Sequence, residues 1–248
     1  MLKVNSVEKS YRRDGLFSKR KKKVVQNVSF ECESGECLGI IGESGSGKST
    51  LGRLILGIEN PDKGEVLFEG KDVLDRRVRL GNISAVFQNH VSSINPFFTI
   101  EDAIMEPLNT QKKNKRKNQN KVNNLLNQVG LDSSYRHKYP HELSGGEIQR
   151  VCIARAISTE PKCILLDEAI SSLDISVQVQ ILDLLKELKE LYSMSYVFIT
   201  HDIQAAAYIC DRIIIFRDGT VEEIVRIEEL KDVQSEYAKK LLKTLITL

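Results

Sequence analysis

The sequence predicts an α/β fold with a mainly parallel sheet core, an antiparallel β subdomain and an inserted helical lobe. Three observations predict it. Cys37–Ile41, Ile83–Phe87, Cys163–Leu166 and Tyr196–Thr200 are short apolar runs, as parallel strands buried on both faces require. Leu2–Val7, Val24–Glu31 and Glu65–Phe68, with a turn at Pro61–Gly64, suggest an antiparallel sheet beside them. Between Thr99 and about Leu143 no strand candidate occurs; Val122, Leu125, Leu126 and Val129 recur at helical spacing before Gly130. The expected organisation is one domain over 1–248, with a core from 1–98 and 144–248 and a helical lobe over about 99–143.

In chain order, Leu2–Val7 alternates apolar and polar residues, and Tyr11 follows just before a loop rich in Arg and Lys. A tyrosine there can stack on an adenine, though at a strand end it commonly just packs. The apolar run Cys37–Ile41 leads into Gly42–Thr50, GESGSGKST, where Gly42, Gly47, Lys48 and Ser49 fall on G-x-x-x-x-G-K-[ST]. Glycines 42, 45 and 47 let the amides of Glu43, Ser44, Gly45, Ser46 and their neighbours turn inward around anionic oxygens. Lys48 adds a positive charge, and the Ser49 hydroxyl can ligate a magnesium bridging the outer phosphates. Leu51, Leu54, Ile55 and Ile58 then mark a helix whose positive dipole end faces the same anion. Strand, loop and helix together read as a nucleotide phosphate cradle.

Ile83–Phe87 ends in Gln88, an amide that can coordinate a cation and accept from water. Thr99 with Asp102 marks a helix start. Leu143–Arg150, LSGGEIQR, sets Ser144, Gly145 and Gly146 before a helix carrying Ile148, Val151 and Ile157. It reads as a second anion site, but Ser144 and Glu147 also fit an ordinary capping box, and the local sequence leaves both readings open. Cys163–Leu166 runs into Asp167 and Glu168, two carboxylates at the end of a buried strand, where ligands bind in such sheets. Asp167 suits magnesium, and Glu168 suits orienting or deprotonating an attacking water. Ser172, Leu173 and Asp174 form a turn before a helix with Ile181, Leu184, Leu185 and Leu188 on one face. Tyr196–Thr200 delivers His201 to the same sheet edge, where it can contact a γ-phosphate or Glu168. Ile213–Phe216, Asp218-Gly219 and Val221–Ile224 read as a hairpin, and the tail from Tyr237 carries Leu241, Leu242 and Leu245 at helical spacing.

Bulk properties narrow the classes. With 41% apolar residues and a formal charge of +2, disorder is not expected. The basic runs Lys19–Lys23 and Lys112–Lys121 lack interleaved aromatics and read as solvated or membrane-facing, not as nucleic-acid sites. No run reaches the ~18 apolar residues of a membrane span, and the N-terminus lacks signal-peptide regions, so a cytoplasmic location is expected. The five cysteines form no C-x-x-C pair and read as buried thiols. His137 and His141 have zinc-like spacing, but Pro140 prevents one helix from presenting both.

Taken together, GESGSGKST, Gln88, LSGGEIQR, CILLDE, Ser172-Leu173-Asp174 and His201 resemble, in order and spacing, the ATPase domain of ABC transporters over nearly the whole chain. The resemblance implies a P-loop NTPase of ABC type that hydrolyses ATP with Mg2+ and pairs head to tail with a second ATPase. Each ATP then lies between one phosphate loop and the partner's stretch equivalent to Ser144–Gly146. It implies that Tyr11 stacks on adenine, Gln88 senses nucleotide and touches the membrane subunit, and Asp174 crosses the dimer. It further implies that Glu168 is the catalytic base and His201 the switch histidine. Lys48 and Gln88 act with them, and Ser49, Gln88 and Asp167 hold Mg2+. Tyr139-Pro140-His141-Glu142 before the signature resembles importers. Gly15-Leu16-Phe17, Thr50-Leu51-Gly52-Arg53, the Gln88–Ile100 loop with Asn95-Pro96, and Tyr237-Ala238 resemble the oligopeptide, dipeptide and nickel group. Arg150-Val151-Cys152 and Glu168-Ala169-Ile170-Ser171 are more similar to its nickel importers than to its peptide importers. The implied assembly has a non-identical partner ATPase, two membrane permease subunits and an extracytoplasmic substrate-binding protein, with this chain on the cytoplasmic membrane face. A metal or metallophore is the implied cargo and an oligopeptide the alternative. A DNA-repair ATPase would need a coiled-coil or zinc insert between Gly42 and Ser144, and none is present; intact Lys48, Asp167, Glu168 and His201 argue against a nucleotide-gated module that pairs without hydrolysing.

Overall fold

The structure, a computed structural model, describes residues 1–12, 21–88, 93–110 and 115–246; at 110, 115–119 and 244–246 the backbone alone is described. Expectations placed on Gly15-Leu16-Phe17, Lys19, Arg20, residues 89–92 and 112–114, and the Leu245 side chain lie outside the described residues. The strands are β1 (Leu2–Arg12), β2 (Lys21–Cys32), β3 (Cys37–Ile41), β4 (Lys63–Phe68), β5 (Lys71–Asp72), β6 (Ile83–Phe87), β7 (Cys163–Asp167), β8 (Ser195–Thr200), β9 (Arg212–Arg217) and β10 (Thr220–Arg226). The α-helices are α1 (Lys48–Ile55), α2 (Arg76–Arg79), α3 (Ile100–Thr110), α4 (Lys115–Gln128), α5 (Gly145–Ile157), α6 (Ile175–Tyr192), α7 (Ile203–Ile209) and α8 (Glu236–Ile246). They form two compact units, Met1–Arg79 with Ser195–Leu248, and Leu80–Met194.

In the first unit, β3 lies between β8 and β9, parallel to both, and β10 closes the edge antiparallel to β9. All five residues of β3 are buried, which is why the strand shows no polar alternation. Tyr196, Phe198 and Phe216 are among the largest fully buried side chains; each such apolar residue contributes roughly 1.5–3 kcal/mol. The expected antiparallel sheet is present, in the order β2-β1-β4-β5. β1 is longer than its alternating sequence suggests and contains Tyr11 within the strand, opposite Lys22. Its register shifts between Val4 and Val7 and between Val7 and Lys9, with Ser6 at φ 44, so bulges break the alternation that marks a strand in sequence.

In the second unit, β6 and β7 run parallel and in step from Ile83↔Cys163 to Phe87↔Asp167. Residues 99–143 contain α3, α4 and two short 3-10 turns, Ser133–His137 and Pro140–Glu142. Thr99 and Asp102 cap α3 reciprocally: the Asp102 carboxylate accepts from the Thr99 amide at 3.1 Å, and Thr99 Oγ1 accepts from the Asp102 amide at 3.2 Å. Val122, Leu125 and Leu126 of α4 are buried, as is Val129 just after it. Arginines bind this region internally and tie it to α5. Arg155 reaches Glu106 at 2.6 Å, Arg150 donates to the Val129 carbonyl at 2.7 Å, and Arg136 pairs with Glu101 at 2.7 Å. All five cysteines of the chain are buried, and none forms a disulfide.

Candidate functional site

The phosphate-loop sequence occupies the carboxyl end of β3 in the first unit. Two glycines are dictated by the backbone around them. A Cβ on Gly42 would lie 2.0 Å from the Phe216 carbonyl oxygen, and Gly47, at φ 107, would bring one within 2.5 Å of the Val24 carbonyl. No side chain caps the amino end of α1. Lys48 is 4% exposed, and its ammonium donates to the Gly42 carbonyl at 2.7 Å and the Glu43 carbonyl at 2.9 Å. Ser46 Oγ is buried without a hydrogen-bond partner. A buried cation, an orphaned hydroxyl and a helix start without a side-chain cap fit an anion such as a phosphate chain.

The parallel register continues the site. Because Ile41 pairs with Thr200, the next residues, Gly42 and the exposed His201, follow adjacent strands at one sheet edge. Tyr11 donates its hydroxyl to Glu59, which also accepts from Arg53 at 2.6 Å. Burial works against the Glu59 charge, but Tyr11 and Arg53 together hold its carboxyl below the ordinary value. The phenol is thereby tethered to the carboxyl-terminal end of α1.

The second unit carries the acidic residues. Phe87 and Asp167 end β6 and β7 as a registered pair, so Gln88 and Glu168 follow on neighbouring strands. Glu168 has a left-handed backbone at φ 49, and its carbonyl accepts from the Ser171 amide at 3.2 Å and hydroxyl at 3.0 Å. That conformation costs a non-glycine residue roughly 1–3 kcal/mol and is held by the turn that follows, a placement common where a side chain must be aimed. Asp174 heads α6 as its N-cap but makes no side-chain cap hydrogen bond, and it is exposed.

Ser144 to Gly146 open α5 in the same unit. The capping box left open by the sequence is formed: the Ser144 amide and hydroxyl each donate to Glu147 Oε2 at 2.7 Å. Tyr135 also donates its hydroxyl to Glu147, and the Lys138 ammonium sits 3.8 Å from the Tyr135 ring centroid. The Tyr135 hydroxyl, followed by the Ser144 contacts, holds the Glu147 carboxyl at about 2, far below its ordinary 4.5. A Cβ on Gly146 would meet Val177 of α6 at 2.8 Å, so this turn packs on the helix that Asp174 begins. Sequence reasoning missed Tyr135 and Glu59, since nothing local marks contacts made across 12 or 48 positions, and it gave Arg53 no contact.

The structure thus collects Tyr11, the Gly42–Thr50 loop and His201 in one unit, and Gln88, Ser144–Gly146, Asp167, Glu168 and Asp174 in the other. Among the described residues no group of three or more His, Cys, Asp or Glu side chains is placed to hold a metal ion. Of the residues expected to hold Mg2+, Ser49 lies in the first unit and Gln88 and Asp167 in the second; each carries an oxygen donor of the kind a hard cation takes.

These features define a P-loop nucleotide hydrolase with an α/β core. The ABC transporter family model matches residues 25–171, and the chain belongs to that family as an ATPase. It is 49% identical over 98% of both chains to the metal-staphylopine import system ATP-binding protein CntF of Staphylococcus aureus strain NCTC 8325. It is 41% identical to the oligopeptide transport ATP-binding protein AppF of Bacillus subtilis strain 168, over 94% of this chain and 74% of that one. Its fold matches the dimeric post-hydrolysis ATP-binding cassette MJ0796 bound to ADP and Pi, with TM-score 0.82 and 30% identity over 92% of this chain and 99% of that one. It also matches cbiO1 from Clostridium perfringens, part of the ABC transporter complex cbiONQ, with TM-score 0.80 and 26% identity over 99% and 96% of the two chains. No helix among the described residues is long and apolar enough to cross a membrane.

Proposed function

We propose that this chain is the ATP-hydrolysing subunit of a binding-protein-dependent importer for nickel, cobalt or another transition metal, carried as a metallophore complex. The observation that carries the cargo assignment is the 49% identity, over 98% of each chain, to a metal-staphylopine import protein. The Glu168-Ala169-Ile170-Ser171 sequence points the same way. An oligopeptide is the alternative cargo, favoured by the 41% identity to AppF.

In this reading the Gly42–Thr50 loop takes the phosphates, Lys48 exchanges its loop carbonyls for phosphate oxygens, and Tyr11 stacks on adenine. Ser49, Gln88 and Asp167 hold Mg2+, which shields phosphate charge when bound. Glu168 deprotonates or orients the water, and His201 contacts the γ-phosphate. Ser144–Gly146 and Asp174 serve the ATP of a second, non-identical ATPase. Two permease subunits and a substrate-binding protein complete the importer, with this chain on the cytoplasmic membrane face. The residues of about 99–143 form the helical lobe that moves with ATP-driven closure of the pair.

The test is to delete the gene, then measure cellular nickel, cobalt and zinc beside uptake of a labelled oligopeptide, with wild-type and Glu168→Gln copies for complementation. Metal content is expected to fall while peptide uptake holds, with rescue by the wild-type copy alone. Loss of peptide uptake with unchanged metal content would overturn the cargo assignment.

A further inference from the structure

The Tyr237-Ala238 pair entered as a mark of subgroup resemblance, with no chemical task. The structure gives it one. Tyr237 lies in the first turn of α8, 9% exposed, and its hydroxyl oxygen accepts a hydrogen bond from the Glu43 amide at 3.3 Å. Glu43 is the first residue of the phosphate loop after Gly42. The same residue's carbonyl accepts from the Lys48 ammonium at 2.9 Å. One residue's backbone is therefore held from both ends, by the carboxyl-terminal helix and by the loop lysine.

The tyrosine is itself fixed. The Arg217 guanidinium carbon stands 4.8 Å from its ring centroid, a cation–π distance. Ala238 beside it is fully buried, and its amide donates to Ser235 Oγ at 3.1 Å. The turn before α8 is tied to β10, since the Gln234 amide donates to Glu223 at 3.0 Å and the Ser235 amide at 3.1 Å. Burial pushes the Tyr237 hydroxyl above its ordinary value, so it stays a neutral phenol at physiological pH. Between the loop and α8 lies a cavity of about 480 Å³, lined by Glu43–Ser46, Arg217, Tyr237 and Lys240. On this side of the loop the Glu43 amide is fixed by the hydrogen bond it donates to the Tyr237 hydroxyl beside the cavity.

We propose that Tyr237 is a positioning residue for ATP binding: it sets the Glu43 backbone, and through it the carbonyl that Lys48 leaves when phosphate arrives. This rests on reading Gly42–Thr50 as the phosphate cradle. A preorganised loop binds its anion without first ordering the peptide, so the contact acts on nucleotide affinity and not on the chemical step.

The test uses the full chain with a fluorescent ATP analogue, and ATP hydrolysis by the assembled transporter. Tyr237→Phe keeps the ring under Arg217 and removes the acceptor alone. It is expected to weaken nucleotide binding and raise KM for ATP about threefold to tenfold, the worth of one hydrogen bond. The kcat should stay at the wild-type value, and the melting temperature should fall by no more than the few degrees that one hydrogen bond is worth. Equal affinity in Tyr237→Phe and wild type would overturn the inference, and so would a lowered melting temperature or kcat with affinity unchanged, the mark of a merely structural tyrosine. A wild-type chain that shows no saturable nucleotide binding would instead remove the phosphate-cradle reading on which the inference stands.

Discussion

The chain begins two helices with a small-residue turn, and the two turns treat negative charge in opposite ways. At Gly42–Thr50 no side chain caps α1, the nearby lysine is buried on loop carbonyls, and Ser46 Oγ has no partner. At Leu143–Arg150 the chain supplies its own anion: Glu147 accepts from Ser144 and Tyr135. Both stretches obey the same rule, that a helix start attracts negative charge. The difference teaches that glycines before a helix do not define a ligand site by themselves. In the single chain the Ser144–Gly146 turn is satisfied by its own carboxylate, whereas the Gly42–Thr50 loop is left for an outside anion; the ATP proposed at Ser144–Gly146 is that of the paired ATPase.

The largest expected effect divides chemistry from binding. Glu168→Gln should lower phosphate release by the paired ATPases about a hundredfold to ten-thousandfold while nucleotide binding persists, as removal of a general base does. Unchanged release would take Glu168 out of the reaction. Next, alanine at the glycines probes the packing of the two turns. Gly42→Ala drives a Cβ to 2.0 Å from the Phe216 carbonyl and should destabilise the fold by about 1–3 kcal/mol in urea titration. Gly145→Ala places its Cβ 3.5 Å from Leu173 and should stay roughly within 0.5 kcal/mol of wild type. Similar costs at both positions would erase the contrast in crowding.

The smallest effect concerns the internal carboxylate. Glu147→Gln removes a charged acceptor and should cost about 1–2 kcal/mol at pH 7. Because the folded carboxyl titrates at about 2 against an ordinary 4.5, its contribution is complete above about 4.5 and disappears as the pH falls towards 2. The stability gap between wild type and variant should therefore close over that interval in acid unfolding. A gap independent of pH would mean that shape, not charge, is what Glu147 contributes.

Most of the architecture was legible in the sequence because burial on both faces leaves a plain signal. Cys37–Ile41 and Ile83–Phe87 form strands with the bounds their apolar runs predict, and the hairpin at Asp218-Gly219 and the helix around Tyr237 are present. β1 was read short because bulges near Ser6 disrupt its alternation. The motif residues were legible for a different reason, since phosphate and carboxylate chemistry need fixed residue types at fixed spacing. Their supports were not. The Tyr135–Glu147 and Tyr237–Glu43 bonds join residues 12 and 194 positions apart, and tertiary packing alone brings them together. The capping box at Ser144 and Glu147 was legible as a local pattern, but the tyrosine that strengthens it was not.

The most direct measurement of the contrast is titration of the full-length chain with a fluorescent ATP analogue, for wild type and Lys48→Ala. If the Gly42–Thr50 loop takes its anion from outside, the variant should bind at least about tenfold more weakly, the loss of a charged contact to phosphate. Equal affinity of the two chains would contradict the account, because the phosphates would then not lie on this loop.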